Sequence, residues 1–351
     1  MAIRILQVGM GGWGRDWASN ILSKVEEVEF VGCVDSDPEA LAKARASTAI
    51  QAEAYFDSLD TALESVEVGA VLVTTALPGH VPVALAALEA GKHVLMEKPF
   101  APTIEEARQV VDAAAEKGLV LMISQNYRFF PAVRAAQSLV QAGELGEVGA
   151  ISIDFRRYSN RAPRGGSRHY TMRQPLLVDM AIHHFDLMRA VLGREPREVF
   201  CHASNPPWSK FEDSPAAAAT ITFDGGAVVS YRGSWVSTGP ATPWAGEWRM
   251  ELSEAEVTWT SRGDGRPIES QDELTVRHLG EPPRKSDLPT LTYVDRAGSL
   301  SAFANAIRTG REPETSGRDN LRTLALMSAA VESAASGAPV RLDAHNAPRT
   351  Q

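Results

Sequence analysis

Cysteine is nearly absent from this chain, with two in 351 residues, Cys33 and Cys201. Two cysteines build no disulfide framework, so a reducing compartment and a core held by packing alone are expected. Long apolar runs are lacking too, and none approaches the roughly eighteen residues that a membrane-spanning helix needs. Basic charge is scarce: 35 Lys and Arg stand against 44 Asp and Glu, for a net charge of −9. That balance argues against a general nucleic-acid binder or a protein of anionic membrane surfaces. Repeats and low-complexity tracts are missing. Met1-Ala2-Ile3-Arg4-Ile5 enters a strand pattern at once, so no signal peptide is expected and the cytoplasm is the expected location. What is present is 44% hydrophobic residues over a length that predicts about two domains.

Residues 1–125 alternate apolar strands with helical patterns. The strands are expected at Ile3–Val8, Glu29–Val34, Ala70–Thr74, His93–Met96 and Leu119–Ser124, with helices at Asp16–Lys24, Pro38–Arg45, Val81–Ala90 and Ile104–Lys117. Strands that are apolar throughout and separated by helices predict a doubly wound parallel sheet covered on both faces, an α/β fold. From 126 to 342 the pattern changes. Alternating strands are expected at Ala150–Arg156, Ala217–Phe223, Ala227–Ser234, Glu247–Leu252 and Ala255–Trp259, with a hairpin turn at Asp224-Gly225-Gly226. Helices are expected at Leu177–Leu192, Tyr293–Arg308 and Asp319–Ser336, the last ones packing back on the first domain. This predicts an α+β domain on an open, largely antiparallel sheet. Ser261–Pro289 reads as a loop with one strand at most, and 343–351 as a frayed tail.

Chemistry begins at Gly9-Met10-Gly11-Gly12-Trp13-Gly14, a G-x-G-x-x-G placed between a strand and a helix. Gly9 permits the tight turn, Gly11 and Gly12 let backbone approach a pyrophosphate, and Gly14 allows close helix–strand packing. The phosphates would meet the N–H groups at the helix start, and Trp13 is expected to cover them. Asp35 ends the second strand 21 residues after Gly14. A carboxylate there accepts both ribose hydroxyls and repels a 2′-phosphate, which predicts NAD rather than NADP. Trp17 is expected to pack beneath the helix and Cys33 to be a buried small hydrophobe.

Glu97-Lys98-Pro99 follows a strand, with His80 upstream in Thr74-Thr75-Ala76-Leu77-Pro78-Gly79-His80. Further on stands Asp179-Met180-Ala181-Ile182-His183-His184-Phe185-Asp186. With the glycine fingerprint, these three motifs in order resemble the glucose-fructose oxidoreductase, inositol dehydrogenase and rhizopine-catabolism family, from Ile3 to about Leu342. The resemblance implies a Rossmann domain followed by an open mixed sheet that often mediates oligomerisation. It implies a Lys98–Pro99 bond that is often cis in the family. It places Lys98, Asp179 and His183 beside substrate and nicotinamide, with Thr75, Leu77, His80, Glu97 and Lys98 near the cofactor. Asn126-Tyr127-Arg128 matches the family's position near nicotinamide and substrate, which makes Tyr127 and Arg128 substrate-binding candidates; His184 points about 100° away from His183 and either packs, or makes a domain contact, or binds substrate. Departures exist at Arg173-Gln174-Pro175, where many members are glycine-rich, and at Ala181, where glycine is common.

The residues carry this chemistry independently. Alcohol oxidation needs a hydride acceptor and a base, and histidine titrates near working pH. Asp179 and His183 stand one helical turn apart. Asp179 can hold a second hydroxyl or orient the imidazole, Lys98 can stabilise a developing alkoxide, and Asp186 is either structural or catalytic. No metal is expected, since no H-E-x-x-H or similar spacing accompanies the histidines. Arg156, Arg157, Arg161, Arg164, Arg168 and Arg173 crowd one loop. They either form a solvated loop paired to acidic residues of a neighbouring subunit or clamp a substrate carboxylate or phosphate, with Arg157 the favoured clamp. Trp208, Trp235, Trp244, Trp248 and Trp259 suit a subunit interface or sugar stacking, Trp235 and Trp244 better the latter. The expected function is an NAD-dependent oxidoreductase acting on a secondary alcohol of a cyclic polyol or sugar, in a homodimer or homotetramer joined through the C-terminal sheet. The alternatives are a glycoside hydrolase that oxidises transiently with NAD and a non-catalytic nucleotide sensor.

Overall fold

The computed structural model describes residues 2–48 and 54–342. The tail expected over 343–351 lies outside the described residues. Two compact units emerge, Met1–Asn126 with Thr292–Leu321, and Tyr127–Leu291 with Arg322–Gln351.

In the first unit β1 (Ile3–Val8) leads to α1 (Gly12–Asn20), β2 (Val28–Val34) to α2 (Pro38–Ser47), and β3 (Tyr55–Phe56) to α3 (Leu59–Ser65). Then come β4 (Ala70–Val73), α4 (His80–Glu89), β5 (His93–Met96), α5 (Ile104–Glu116) and β6 (Leu121–Ile123). All six strands run parallel in the order β3-β2-β1-β4-β5-β6. The strand order reverses between β1 and β4, where doubly wound sheets bind their ligands. Every residue of β4 is buried, as befits a strand covered on both faces. Local chemistry sets the helix starts. Asp37 caps α2 by accepting from Glu39 N, with Pro38 in the first turn, and Thr103 caps α5 by accepting from Glu106 N.

The second unit opens with α6 (Pro131–Ala142) and β7 (Val148–Arg156). A π-helical turn at Leu176–Ala181 runs into α7 (Ile182–Leu192). Then follow β8 (Pro196–Ser204), β9 (Ala216–Phe223), β10 (Val228–Ser234), β11 (Glu247–Leu252), β12 (Ala255–Thr260), β13 (Glu273–His278) and β14 (Arg284–Lys285). After them α8 (Asp295–Thr309) belongs to the first unit, α9 (Gly317–Ser336) crosses the division, and β15 (Val340–Arg341) closes the second sheet. That sheet has nine strands in the order β14-β13-β12-β11-β7-β10-β9-β8-β15. Only β7 and β10 pair parallel, so the largely antiparallel expectation holds. Its core lies under α7, every residue of which is buried, and Ile151, Ile153 and Phe155 of β7 form part of it.

The structure corrects several readings. Thr292–Leu321 joins the first unit because Ile123 and Thr315 exchange backbone bonding, with Ile123 N donating to Thr315 O at 2.9 Å and Thr315 Oγ1 to Ile123 O at 2.7 Å. Strands β3, β8, β14 and β15 and helices α3 and α6 were not expected, and Ser261–Pro289, expected to hold one strand at most, carries both β13 and β14. The helix expected from Leu177 begins as a π turn, a feature often found at functional sites. No described helix is long and apolar enough to cross a membrane.

Candidate active site

The glycine loop is pinned by its neighbours. Gly9 adopts φ +100°, and a Cβ there would stand 2.5 Å from Thr75 N; a Cβ on Gly14 would stand 1.9 Å from Gly9 O. Only glycine fits either place. Thr74 Oγ1 donates to Gly9 O at 2.7 Å and accepts from Gln7 Nε2, which also donates to Gly14 O. A Cβ on Gly11 or Gly12 would meet nothing within 4 Å, so backbone lies open exactly where α1 begins. Asp35 accepts from Met10 N at 2.6 Å and from Asp37 N at 2.9 Å, which fixes its carboxylate beside the loop. A carboxylate retains further acceptor positions beyond those two. Thr75 Oγ1 is buried with no hydrogen-bond partner among the described residues. An open glycine cradle, a neighbouring carboxylate and an orphaned hydroxyl fit a dinucleotide, whose pyrophosphate Gly11, Gly12 and Gly14 would hold and whose ribose Asp35 would hold. Leu77 sits half-buried in the turn after β4. Trp13 is 46% exposed, with the Arg296 guanidinium 4.2 Å above its ring.

Trp17 is fully buried, as expected, and its indole donates to Glu97 Oε1 at 2.7 Å. The other oxygen of Glu97 accepts from Lys98 N at 3.2 Å. Glu97 thus braces the backbone of Lys98 from a buried position. The Lys98–Pro99 bond is cis. His80 braces the same loop. It is buried, with Nδ1 2.8 Å from Pro99 O and Nε2 3.2 Å from Thr75 O, so it ties the start of α4 to the Lys98 loop. Burial lowers its pKa against the opposing pull of those carbonyls.

In the second unit His183 lies on Tyr127, with ring centroids 4.0 Å apart and planes 7° from parallel. Arg262 Nη1 donates to the Tyr127 hydroxyl at 2.8 Å, and its guanidinium stands 4.6 Å over the same ring. Arg262 was missed, because it lies in the polar stretch read as a loop with one strand at most. It adopts φ +57°, and its N–H is held by Asp272, which also accepts from Ser261 Oγ and Ala132 N. Asp179, in the π turn, has a carboxylate oxygen 3.4 Å from His169 Nε2, so His169 joins the candidate site. The aromatic rings of Phe211 and Trp235 box His169 edge-on.

Two of the substrate-binding candidates, His184 and Arg128, are engaged by protein groups in the core, and for His184 this is the packing role its place on the helix suggested. His184 is completely buried. Its Nε2 lies 3.0 Å from Trp244 O and its Nδ1 3.1 Å from Tyr231 Oη. Since a carbonyl only accepts, Nε2 carries the proton and Nδ1 accepts from tyrosine. Arg128 is buried in a bidentate pair with Asp186, both bonds 2.7 Å, and Thr323 Oγ1 donates to the same carboxylate. Asp186 is therefore structural, and Arg128 is its partner. Arg157 lies over Trp244 and lines a cleft. Of the five tryptophans of this unit only Trp208 is strongly exposed, while Trp248 and Trp259 stack on each other and Trp235 is buried. Burial removes those three as surface anchors.

Residues 3–125 match the GFO/IDH/MocA oxidoreductase family with its NAD-binding Rossmann fold, and residues 133–256 match the C-terminal domain of the same family. The chain belongs to this family, and its first unit is an NAD-binding Rossmann domain. It is 26% identical over 351 residues to scyllo-inositol 2-dehydrogenase (NAD(+)) of Bacillus subtilis, covering 98% of each chain. It is 27% identical over 322 residues to D-apiose dehydrogenase of Paraburkholderia graminis, covering 91% of this chain and 84% of the relative. A crystal structure of an oxidoreductase from Agrobacterium radiobacter, in complex with NAD+, L-tartaric acid and magnesium, shares the fold. Its TM-score is 0.83 at 19% identity, over 97% of this chain and 98% of that one.

Proposed function

We propose that the chain is an NAD-dependent dehydrogenase oxidising a secondary alcohol of a cyclic polyol, sugar or sugar derivative. The observation that carries this reading is the His183 imidazole lying flat on Tyr127, at the start of the helix that follows the π turn holding Asp179. Stacking fixes the orientation of the ring, which suits a group that must exchange protons. The two relatives named for scyllo-inositol and D-apiose support the substrate class.

Bound NAD supplies the hydride acceptor. His183 takes the hydroxyl proton as the carbinol carbon gives up its hydride and becomes a carbonyl. Lys98, braced by Glu97, carries positive charge to the oxygen as it gains alkoxide character. Asp179, beside His169, binds a second substrate hydroxyl. Tyr127 holds the imidazole in place.

NADH absorbance over a panel of inositols, hexoses, uronates and amino sugars tests the reading, with the wild type beside His183→Ala. Net NADH formation is expected, and the variant is expected to lose about a hundredfold or more in kcat. NAD affinity by calorimetry should barely change. Undiminished turnover in the variant would remove His183 as the base. Glycoside cleavage without net NADH would replace the dehydrogenase with the transient-oxidation reaction.

A further inference from the structure

A cleft of about 550 Å³ opens in the second unit, lined by Arg157, Tyr158, Arg161, Ser237, Thr238 and Trp244 among others. Two chain segments build its wall. Arg157 N donates to Ser234 O, Ser237 N donates to Arg157 O, and Tyr158 pairs with Val236 in an isolated bridge. The pleat of β7 decides which arginine takes part. Arg156 turns to the other side, where it bonds Glu247 Oε2 at 2.6 Å and Pro240 O at 3.2 Å. Arg157 continues the buried side of Ile151, Ile153 and Phe155 and brings its guanidinium 4.2 Å over the Trp244 ring.

Asp264 fixes that guanidinium. It accepts from Arg157 Nη1 at 2.5 Å and from the Trp244 indole N–H at 2.7 Å, tying cation and ring together. Burial pushes the Asp264 carboxyl up, but these bonds and the nearby guanidinium groups outweigh it and hold the group below the usual carboxylate range. Only Nη1 is used in this way. Nε and Nη2 of Arg157 are buried with no hydrogen-bond partner among the described residues. That edge is the fork with which Arg128 grips Asp186 and Arg189 grips Glu195 in the same unit. Its two parallel N–H groups match the oxygens of a carboxylate or a phosphate.

The cleft and His183 share neighbours. Trp244 O accepts from His184, the next residue in sequence, and Arg262 lies 5.5 Å from the Trp244 ring and 4.6 Å from the Tyr127 ring on which His183 rests. We propose that this cleft is an anion subsite. The Nε–Nη2 fork of Arg157, with the exposed cation of Arg161 and the hydroxyls of Ser237 and Thr238, takes a carboxylate or phosphate carried by the substrate. The proposal rests on the dehydrogenase reading of His183, and it makes the substrate an acidic or phosphorylated sugar rather than a neutral one.

Matched substrates test it: a hexose, its uronate and its 6-phosphate, with kcat/KM followed by NADH formation in wild type and Arg157→Lys. Lysine keeps the charge and loses the fork, so the anionic-to-neutral ratio is expected to fall about ten- to a hundredfold. The arm that falls, uronate or phosphate, identifies the anion. Arg161→Gln, at an exposed position, should lower the same ratio severalfold and serves if Arg157→Lys does not fold. A ratio unchanged in both variants, or a wild type that prefers the neutral hexose, overturns the subsite. Should the wild type turn over none of the three, the dehydrogenase reading fails on these sugars, and calorimetric titration with gluconate and inorganic phosphate decides the cleft by itself. Binding that weakens in Arg157→Lys upholds an anion site, and no binding, or equal binding in both proteins, overturns it.

Discussion

The imidazole of His183 lies flat against the ring of Tyr127, 4.0 Å between centroids, and Arg262 covers the tyrosine from 4.6 Å. This stack turns a side chain with two rotatable bonds into one with a single orientation, and orientation is worth much of a proton-transfer rate. Tyr127→Leu is expected to lower kcat about tenfold or more with NAD affinity unchanged. Tyr127→Phe keeps the face and loses only the bond from Arg262, so its loss should be a few-fold. Steady-state rates at saturating NAD, beside dinucleotide titration, check both. A leucine variant with full kcat would show that the stack does not position the base.

Asp35 stands beside the glycine loop with its oxygens fixed by Met10 N and Asp37 N. A 2′-phosphate there would bring negative charge against a carboxylate that cannot turn away. Like charges at such range cost on the order of a few kcal/mol, enough for about a hundredfold preference for NAD over NADP. Asp35→Asn removes the charge and keeps the shape, so the preference should shrink at least tenfold. Calorimetry with both dinucleotides measures it. Equal binding of the two by the wild type would mean that another cation, with Arg15 or Arg296 the first to examine, receives the phosphate.

The first unit was legible because buried parallel strands advertise themselves. Ile3–Val8 and His93–Met96 coincide with the structure to the residue, and Ala70–Val73 falls one residue short of the expected strand. β3 is two residues long and α3 seven, too short for periodicity to register. β8 begins at proline and carries charge on its exposed side, which masked its alternation. In the candidate site, motif spacing singled out His183 and Asp179 but not the side chains that contact them. Arg262 reaches Tyr127 across 135 positions of sequence and His169 reaches Asp179 across a loop, contacts that only the folded chain defines. The same limit explains Arg128 and His184. Both are polar residues within functional motifs, and only their partners, Asp186 for one and Trp244 with Tyr231 for the other, show that they belong to the core.

The Arg128–Asp186 pair separates a structural role from a binding role. Both side chains are almost fully buried, and breaking such a pair strands a charge, at a cost of about 3–5 kcal/mol. Asp186→Asn should therefore lower the unfolding free energy by that order, while the folded fraction retains the wild-type KM. Arg128→Met combined with Asp186→Leu should cost less than the two single changes added together. Denaturant titration and steady-state kinetics check the set. A large rise in KM for Arg128→Met without loss of stability would return Arg128 to the substrate site.

His184 makes stability depend on pH in a stated direction. Complete burial pushes its pKa down to about 4, against an ordinary 6.5. The unfolded chain thus binds the proton more readily than the folded one between those values. The stability His184 contributes is fully present above pH 6.5 and is lost as pH falls toward 4, to an order of about 3 kcal/mol. Burial lowers His80 and His93 in the same direction, so they add to the slope. His184→Gln keeps an N–H for the Trp244 carbonyl and removes the titration. Its unfolding free energy should decline less steeply from pH 6.5 to 4 than that of the wild type, with the two curves converging at the acid end. Denaturant titrations at steps across that window measure the difference, and parallel curves would mean that His184 takes up its proton without disturbing the core.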